Sequence, residues 1–350
     1  MRIGARPRHW DSAIAVEGWG YDIDFPQGRM FQDRCIVVVV PCYNAAARVT
    51  DVIRSLPAFV DHAVIVDDGS RDDVQSALRP LQPSPRLTVL HHDANRGLAR
   101  AMETGFRHAL TLGADIIVKM DADGQMDPAE LPRLLAPLVA GHADLTKGNR
   151  FLHRRHLAGM PPVRIAGNLG LSFLTKLASG YWNVFDPTNG YVAARREVIE
   201  EIDLARLGPR HFFETSLLCQ VYLVGAVVRD VSIPARYGTE RSSLSMSRTL
   251  VEFPVLLLRA AFRRIVLQHF FRDFTAVALF LVTGGLMTGL GISWGFWTWT
   301  RSAQLHQATP TGTIAVILLP VLVGFQLLLQ ALVMDIASVP VRSPWPPKAP

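Results

Sequence analysis

The sequence predicts an α/β domain on a mostly parallel sheet, followed by an amphipathic segment and two membrane-spanning helices. Three observations predict it. Short, continuous, β-branched apolar runs alternate with helical stretches between Cys35 and Gly148. Three of these runs end in polar clusters, two of them acidic. Two long stretches after Asp273 are almost without charge.

Residues 1–33 are polar and aperiodic, and read as an N-terminal arm with no apolar h-region and so no signal peptide. Cys35 to Val40 (CIVVVV) has the signature of a strand buried on both faces. A helix is expected from about Ala45 to Leu56, and His62–Val66 reads as a second buried strand. Ser70 suits the N-cap of the next helix, with Asp72 and Asp73 in its first turn. Leu87–Leu90 is a third strand. Leu98, Met102, Phe106, Ala109 and Leu110 then share one helical face, and Gly113 ends that helix. Ala114–Met120 is a fourth strand, Pro128 opens a helix at its first turn, and Leu145–Gly148 makes a fifth strand. The domain is expected to run over 34–245.

Composition narrows the class. The 350 residues suffice for a soluble domain of roughly 230 residues plus an appendage. Lys and Arg total 36 against 30 Asp and Glu, a net charge of +6. Such an excess suits an anionic membrane or nucleic acid. No nucleic-acid motif is present, and arginines crowd beside the apolar runs, which favours the membrane. Three cysteines without a CxxC pair argue against a disulfide framework or a zinc site.

Ligands in open α/β sheets bind beyond the carboxyl ends of the strands. The clusters there are Pro41-Cys42-Tyr43-Asn44, Asp67-Asp68-Gly69-Ser70 and Asp121-Ala122-Asp123-Gly124-Gln125. In the last, two carboxylates at i and i+2 and a carboxamide at i+4 offer three hard oxygen ligands, which suits Mg2+ or Mn2+. Asp and Gly also populate ordinary strand-end turns. The Asp67-Asp68 pair on the same sheet edge favours the metal.

These clusters, in this order, resemble the inverting family-two glycosyltransferases of GT-A nucleotide-sugar fold, and within them the dolichol- and polyprenyl-phosphate sugar synthases. The resemblance covers about residues 35–245 and also rests on Asn95-Arg96-Gly97, Gly148-Asn149-Arg150-Phe151 and Asp186-Pro187-Thr188-Asn189-Gly190-Tyr191. It implies a Rossmann-like sheet and transfer of a sugar from a UDP- or GDP-linked donor to a polyprenyl phosphate. Pro41, Tyr43 and Asn44 would line the base pocket. Asp67 would contact base or ribose, and Asp68 would support the ribose side. Asp121, Asp123 and Gln125 would hold the metal against the donor diphosphate, with Ala122 beside it. Arg150 would face the acceptor phosphate or the diphosphate. Two positions depart from the family pattern: Ala45 stands where an acidic residue is common, and Ala99 replaces the second glycine of an Asn-x-Gly-x-Gly stretch.

Chemistry supports these roles independently. Departure of a nucleoside diphosphate concentrates negative charge that a divalent metal can stabilise. An acceptor phosphate, with its second pKa near ~6, is already an anion at neutral pH, and arginine binds it bidentately. Arg150, Arg164, Arg236 and Arg241 are therefore the acceptor-binding set, with Arg248 close by. A hydroxyl acceptor would instead need a base. Glu214 is the residue for that role, although a first-turn helix carboxylate explains it equally. Two rival readings follow: transfer to a saccharide hydroxyl with Glu214 as base, or a non-catalytic nucleotide-sugar-binding membrane protein.

Leu250–Phe274 is apolar on one side and carries Arg259, Arg263, Arg264 and Arg272, so 246–273 reads as an interfacial helix on an anionic leaflet. Phe274–Thr300 and Thr311–Met334 are each long enough to cross a bilayer, and 274–337 reads as a hairpin. Trp294, Trp297 and Trp299 form an aromatic belt at its far end. The basic flank puts the catalytic domain and the 338–350 tail in the cytoplasm. Gly284, Gly285, Gly289 and Gly291 allow close helix packing, within a subunit or in a homo-oligomer.

Overall fold

The computed structural model describes residues 31, 33–82, 84–151, 162–186, 189–209, 212–234 and 246–345, with the backbone course alone for 162–169 and 246–252. Most of the arm expected at 1–33 lies outside the described residues. The α/β region runs β1 (Ile36–Cys42), α1 (Ala46–Arg54), β2 (His62–Asp67), α2 (Val74–Leu78), β3 (Leu87–His91), α3 (Leu98–Thr111), β4 (Ile116–Lys119) and α4 (Leu131–Val139). It continues with β5 (Leu145–Asn149), α5 (Pro162–Ser179), β6 (Val192–Arg195), α6 (Arg196–Glu201), α7 (Phe213–Leu223) and β7 (Val228–Ser232). Then come α8 (Met246–Val266), α9 (Ala276–Leu305) and α10 (Thr311–Ala337).

The strands form one seven-stranded sheet in the order β3-β2-β1-β4-β6-β5-β7. β6 runs antiparallel to both neighbours, and every other pairing is parallel. Helices cover both faces. Val37 and Val39 of β1 join the core under α3 and α7, while Ile36, Val38 and Val40 join the core under α1, α2 and α4. That two-sided burial is why β1 carries no polar alternation; each buried Val or Ile contributes about 1.5–3 kcal/mol.

The first turn of α2 differs from expectation. Asp73, not Ser70, is the N-cap, accepting from Ser76 N–H. Ser70 Oγ instead accepts from Asn44 N–H, and Asp72 accepts from Ala46 N–H. Two neighbouring loops compete for these side chains, and the tertiary contact wins.

One of the four arginines expected on the surface of the 246–273 segment, Arg264, needs correction, while Arg259 and Arg272 are exposed. α8 passes into a π-helical turn at Leu267–Arg272. In α8, before that turn, Arg264 is buried, not turned to a leaflet. Its guanidinium meets Asp335 of α10 at 2.7 and 2.9 Å and donates to the carbonyls of Leu177 and Ala178 at the end of α5. It also lies over the Tyr222 ring. A charge this deep needs such partners, and helix C-terminal carbonyls suit it.

α9 and α10, of 30 and 27 residues, are long and apolar enough to cross a membrane. Gly284 packs against the backbone of Gly324, and Gly291 against Val321. Leu286, Leu290, Trp297, Leu319 and Leu322 point outward. After the hairpin the chain returns to the α/β domain. Ser338 Oγ pairs with Tyr222 OH, Ser343 Oγ donates to Asp144, and Val339 and Trp345 lie on the main core.

Candidate active site

The register places the three clusters side by side. Cys42 pairs with Asp67, and Val39 pairs with Lys119. The turns after β1, β2 and β4 therefore open on one edge. β5 is antiparallel to β6, which is antiparallel to β4, so Arg150 follows its strand on the same edge.

At the first turn Tyr43 is 43% exposed, while Cys42 is buried and its thiol is pushed up to about 12 by desolvation. Asn44 takes a left-handed backbone (φ 54°), and its Oδ1 accepts from Arg71 N–H at 2.8 Å. It thus ties the first turn to the second. Asp67 Oδ1 accepts from Ser70 N–H, and Oδ2 pairs with His91. Asp68 is saturated: it accepts from the N–H groups of Arg96 (2.9 Å) and Gly97 (2.7 Å), and it pairs with His92 Nδ1 (2.7 Å). Asp68 thus fastens the Asn95-Arg96-Gly97 loop from beneath, an arrangement in keeping with the supporting place expected of it. Gly69 between them has φ +67° and packs on the Ala94 backbone where a Cβ would collide.

The turn after β4 is partly exposed at Asp121 and Asp123 and open at Gln125. Asp123 Oδ1 accepts from Gln125 N–H at 2.9 Å, and Arg48 of α1 donates to the Asp123 carbonyl. Ala122 is buried beneath. Among the described residues no three His, Cys, Asp or Glu side chains form a ready-made cage. Two carboxylates and an amide on an open turn fit a cation whose remaining positions go to phosphate oxygens and water.

Lys119, the last residue of β4, is a site residue that the sequence does not single out. Its ammonium is buried, 2.7 Å from Asp121 Oδ1, 3.2 Å from the Gly190 carbonyl and 3.4 Å from Glu214 Oε1. Burial disfavours this charge, but Asp121 and Glu214 together hold its pKa above the ordinary value. Glu214, on α7, is buried too, and desolvation raises its carboxyl against the pull of Lys119. A lysine inside an apolar strand is the signal that could have found it.

Arg150 meets Asp186 in a fork: Nε to Oδ2 and Nη2 to Oδ1, both 2.7 Å. Asp186 is fully buried at φ 54° and also accepts from Arg150 N–H. Burial would raise its carboxyl, but Arg150 and Lys147 hold it below the usual range. Lys147 donates to the Asp186 carbonyl, and burial lowers its pKa. Beside it, burial pushes Asp230 up to about 7. Asp230 Oδ2 accepts from Asn149 Nδ2 and Phe185 N–H, while Oδ1 is buried without a hydrogen-bond partner among the described residues. Arg236 and Arg241 lie outside the described residues, as does the side chain of Arg164.

Residues 37–203, which hold the acidic turn, the buried lysine and the braced arginine, match the family model described as glycosyl transferase family 2. The UDP-N-acetylglucosamine–dolichyl-phosphate N-acetylglucosaminyltransferase of Methanococcus voltae is 30% identical over 182 residues, covering 48% of this chain and 72% of that protein. The chain belongs to glycosyl transferase family 2. It is a glycosyltransferase of GT-A fold. The polyprenol monophosphomannose synthase of Mycolicibacterium smegmatis is 31% identical, with 56% of this chain and 76% of that protein covered. The undecaprenyl-phosphate mannosyltransferase of Micrococcus luteus is 29% identical, with 57% and 82% covered.

Proposed function

We propose that this glycosyltransferase moves a sugar from a nucleotide-sugar donor to a polyprenyl phosphate, with inversion at the anomeric carbon. One observation carries the reading. The Asp121–Asp123 turn and the Asp186-braced Arg150 follow parallel strands on one edge of a domain that continues into two apolar helices. The names of the relatives support the acceptor class.

Asp121, Asp123 and Gln125 would hold Mg2+ or Mn2+, which would stabilise the charge of the departing diphosphate. The protein's own residues do the rest. Tyr43 offers an exposed ring for the base, and Asp67 and Asp68 hold the loops around it. Arg150, held in one orientation by Asp186, presents fixed positive charge to the acceptor phosphate and lowers its repulsion from the donor. That phosphate attacks as an anion, so no base is needed. Glu214 is buried against Lys119, which favours a supporting role over that of a base for a hydroxyl acceptor.

The test is to offer UDP- and GDP-sugars with a short polyprenyl phosphate and score the lipid-linked product. Product with one donor class is expected. Transfer to saccharide hydroxyls, with none to the lipid phosphate, would overturn the reading.

A further inference from the structure

We propose that Lys119 is a positioning residue that makes divalent-cation binding at Asp121 contingent on the donor diphosphate. The inference rests on the metal reading of the Asp121 turn and adds an order of events to it.

The seat of Lys119 is closed on every side. The side chain is 1% exposed, and its three N–H donors face Asp121 Oδ1, the Gly190 carbonyl and Glu214 Oε1. The Phe213 ring lies 5.8 Å from the ammonium. A Cβ on residue 190 would stand 2.4 Å from Nζ, so glycine there makes the room. The ammonium cannot swing aside when another cation arrives.

Two consequences follow. Asp121 and Glu214 share one cation, which removes their mutual repulsion and fixes the angle of the Asp121 carboxylate. A divalent ion approaching Asp121 also meets a positive charge that bulk salt screens poorly, because it is buried. The turn alone therefore holds metal weakly. A diphosphate brings negative charge and oxygen ligands at once and reverses the balance. Glu214 supports Lys119 and so acts through it.

The experiment is calorimetric titration of MnCl2 into the full-length protein in detergent, alone and with saturating UDP or GDP. It uses wild type and Lys119→Gln, which keeps a donor toward Asp121 without the charge. In wild type, one nucleotide should tighten Mn2+ binding at least about tenfold. In Lys119→Gln, Mn2+ alone should bind about tenfold tighter than in wild type, a low value for the Coulomb repulsion removed. The repulsion acts with or without nucleotide, so Mn2+ affinity in the nucleotide complex should rise by a similar factor, and by linkage Mn2+ improves nucleotide affinity as much as nucleotide improves that of Mn2+. A merely structural lysine would change the melting temperature and leave Mn2+ affinity alone. Equal Mn2+ affinity of wild type and Lys119→Gln without nucleotide would overturn the proposal. So would a wild type indifferent to both nucleotides. A wild type that binds no Mn2+ under any condition brings down the metal reading itself, a separate and recognisable failure. If Lys119→Gln does not fold, Lys119→Met, which keeps the length of the side chain without the charge, serves instead. It should likewise strengthen nucleotide-independent Mn2+ binding; unchanged binding there also overturns the idea.

Discussion

Replacing Arg150 with alanine should produce two separable losses. The first is stability. Arg150 forms a two-point ion pair with Asp186, whose side chain is 0% exposed, while that of Arg150 is 19% exposed. Removing one partner of a buried pair costs about 3–5 kcal/mol. The partial exposure of Arg150 places this case near the lower end, at about 3 kcal/mol. For a domain of this size that is a fall of about 6–12 °C in melting temperature. The second loss is catalytic: transfer to polyprenyl phosphate should drop ~10²–10³-fold, or about 3–4 kcal/mol of barrier. Arg150→Lys should recover part of it, since a point charge lacks the fork. The decisive variant combines Arg150→Ala with Asp186→Asn. Asparagine accepts the left-handed backbone at 186 and carries no charge to strand. Thermal unfolding, lipid transfer and donor hydrolysis by water are measured on the same preparations. The double variant should regain most of the stability and none of the transfer, with hydrolysis less affected throughout. If transfer returns together with stability, Arg150 only holds the loop, and the acceptor argument fails.

Asp123→Ala should cost ~10²–10³-fold in divalent-dependent turnover with the fold intact by circular dichroism; near-native activity, or full activity in chelator, refutes the metal assignment. Arg264→Met strands Asp335 and two helix-end carbonyls, so unfolding in detergent should show a loss of about 3 kcal/mol, largely restored by adding Asp335→Leu; additive losses would show that the pair does not hold the hairpin to the domain. Asp230 titrates at about 7 in the fold against an ordinary 3.8. Its folded pKa is raised, so its contribution to stability is present below about pH 4 and lost as pH rises through about 7. Asp230→Asn should therefore be more stable than wild type by about 2–4 kcal/mol at about pH 8 and equal to it at about pH 4, read from denaturant midpoints; parallel pH profiles refute this.

What is legible in the chain is what is local. β1 to β4 announce themselves as apolar runs, and the acidic turns after β2 and β4 follow within a few residues. β6 does not, because Val192–Arg195 is short and contains two alanines and an arginine. It joins the sheet by pairing antiparallel with β4 and β5, far away in sequence. The same holds at the site. Asp121 and Arg150 are readable from their strands, whereas Asp186 closes on Arg150 across 36 positions. Lys119 is visible as a residue, but its meaning depends on Glu214 arriving from α7. Arg264 looks like its neighbours in sequence because nothing in its helix shows that Asp335 waits in α10. Asp68 is readable as a strand-end carboxylate, but the loop it fastens, 28 and 29 positions on, is visible only in the fold.

The return of the chain after α10 sets a schedule for biosynthesis. Val339 and Trp345 lie on the core built around β1, β2 and α3, and Ser343 bonds to Asp144, 199 positions earlier. A ribosome releases that early segment long before residue 345 emerges, so this patch of the core stays uncovered until α9 and α10 have been made. Contacts closed over such a separation form late. Completion of the sheet domain is thus coupled to the folding of the two long apolar helices that precede the returning segment.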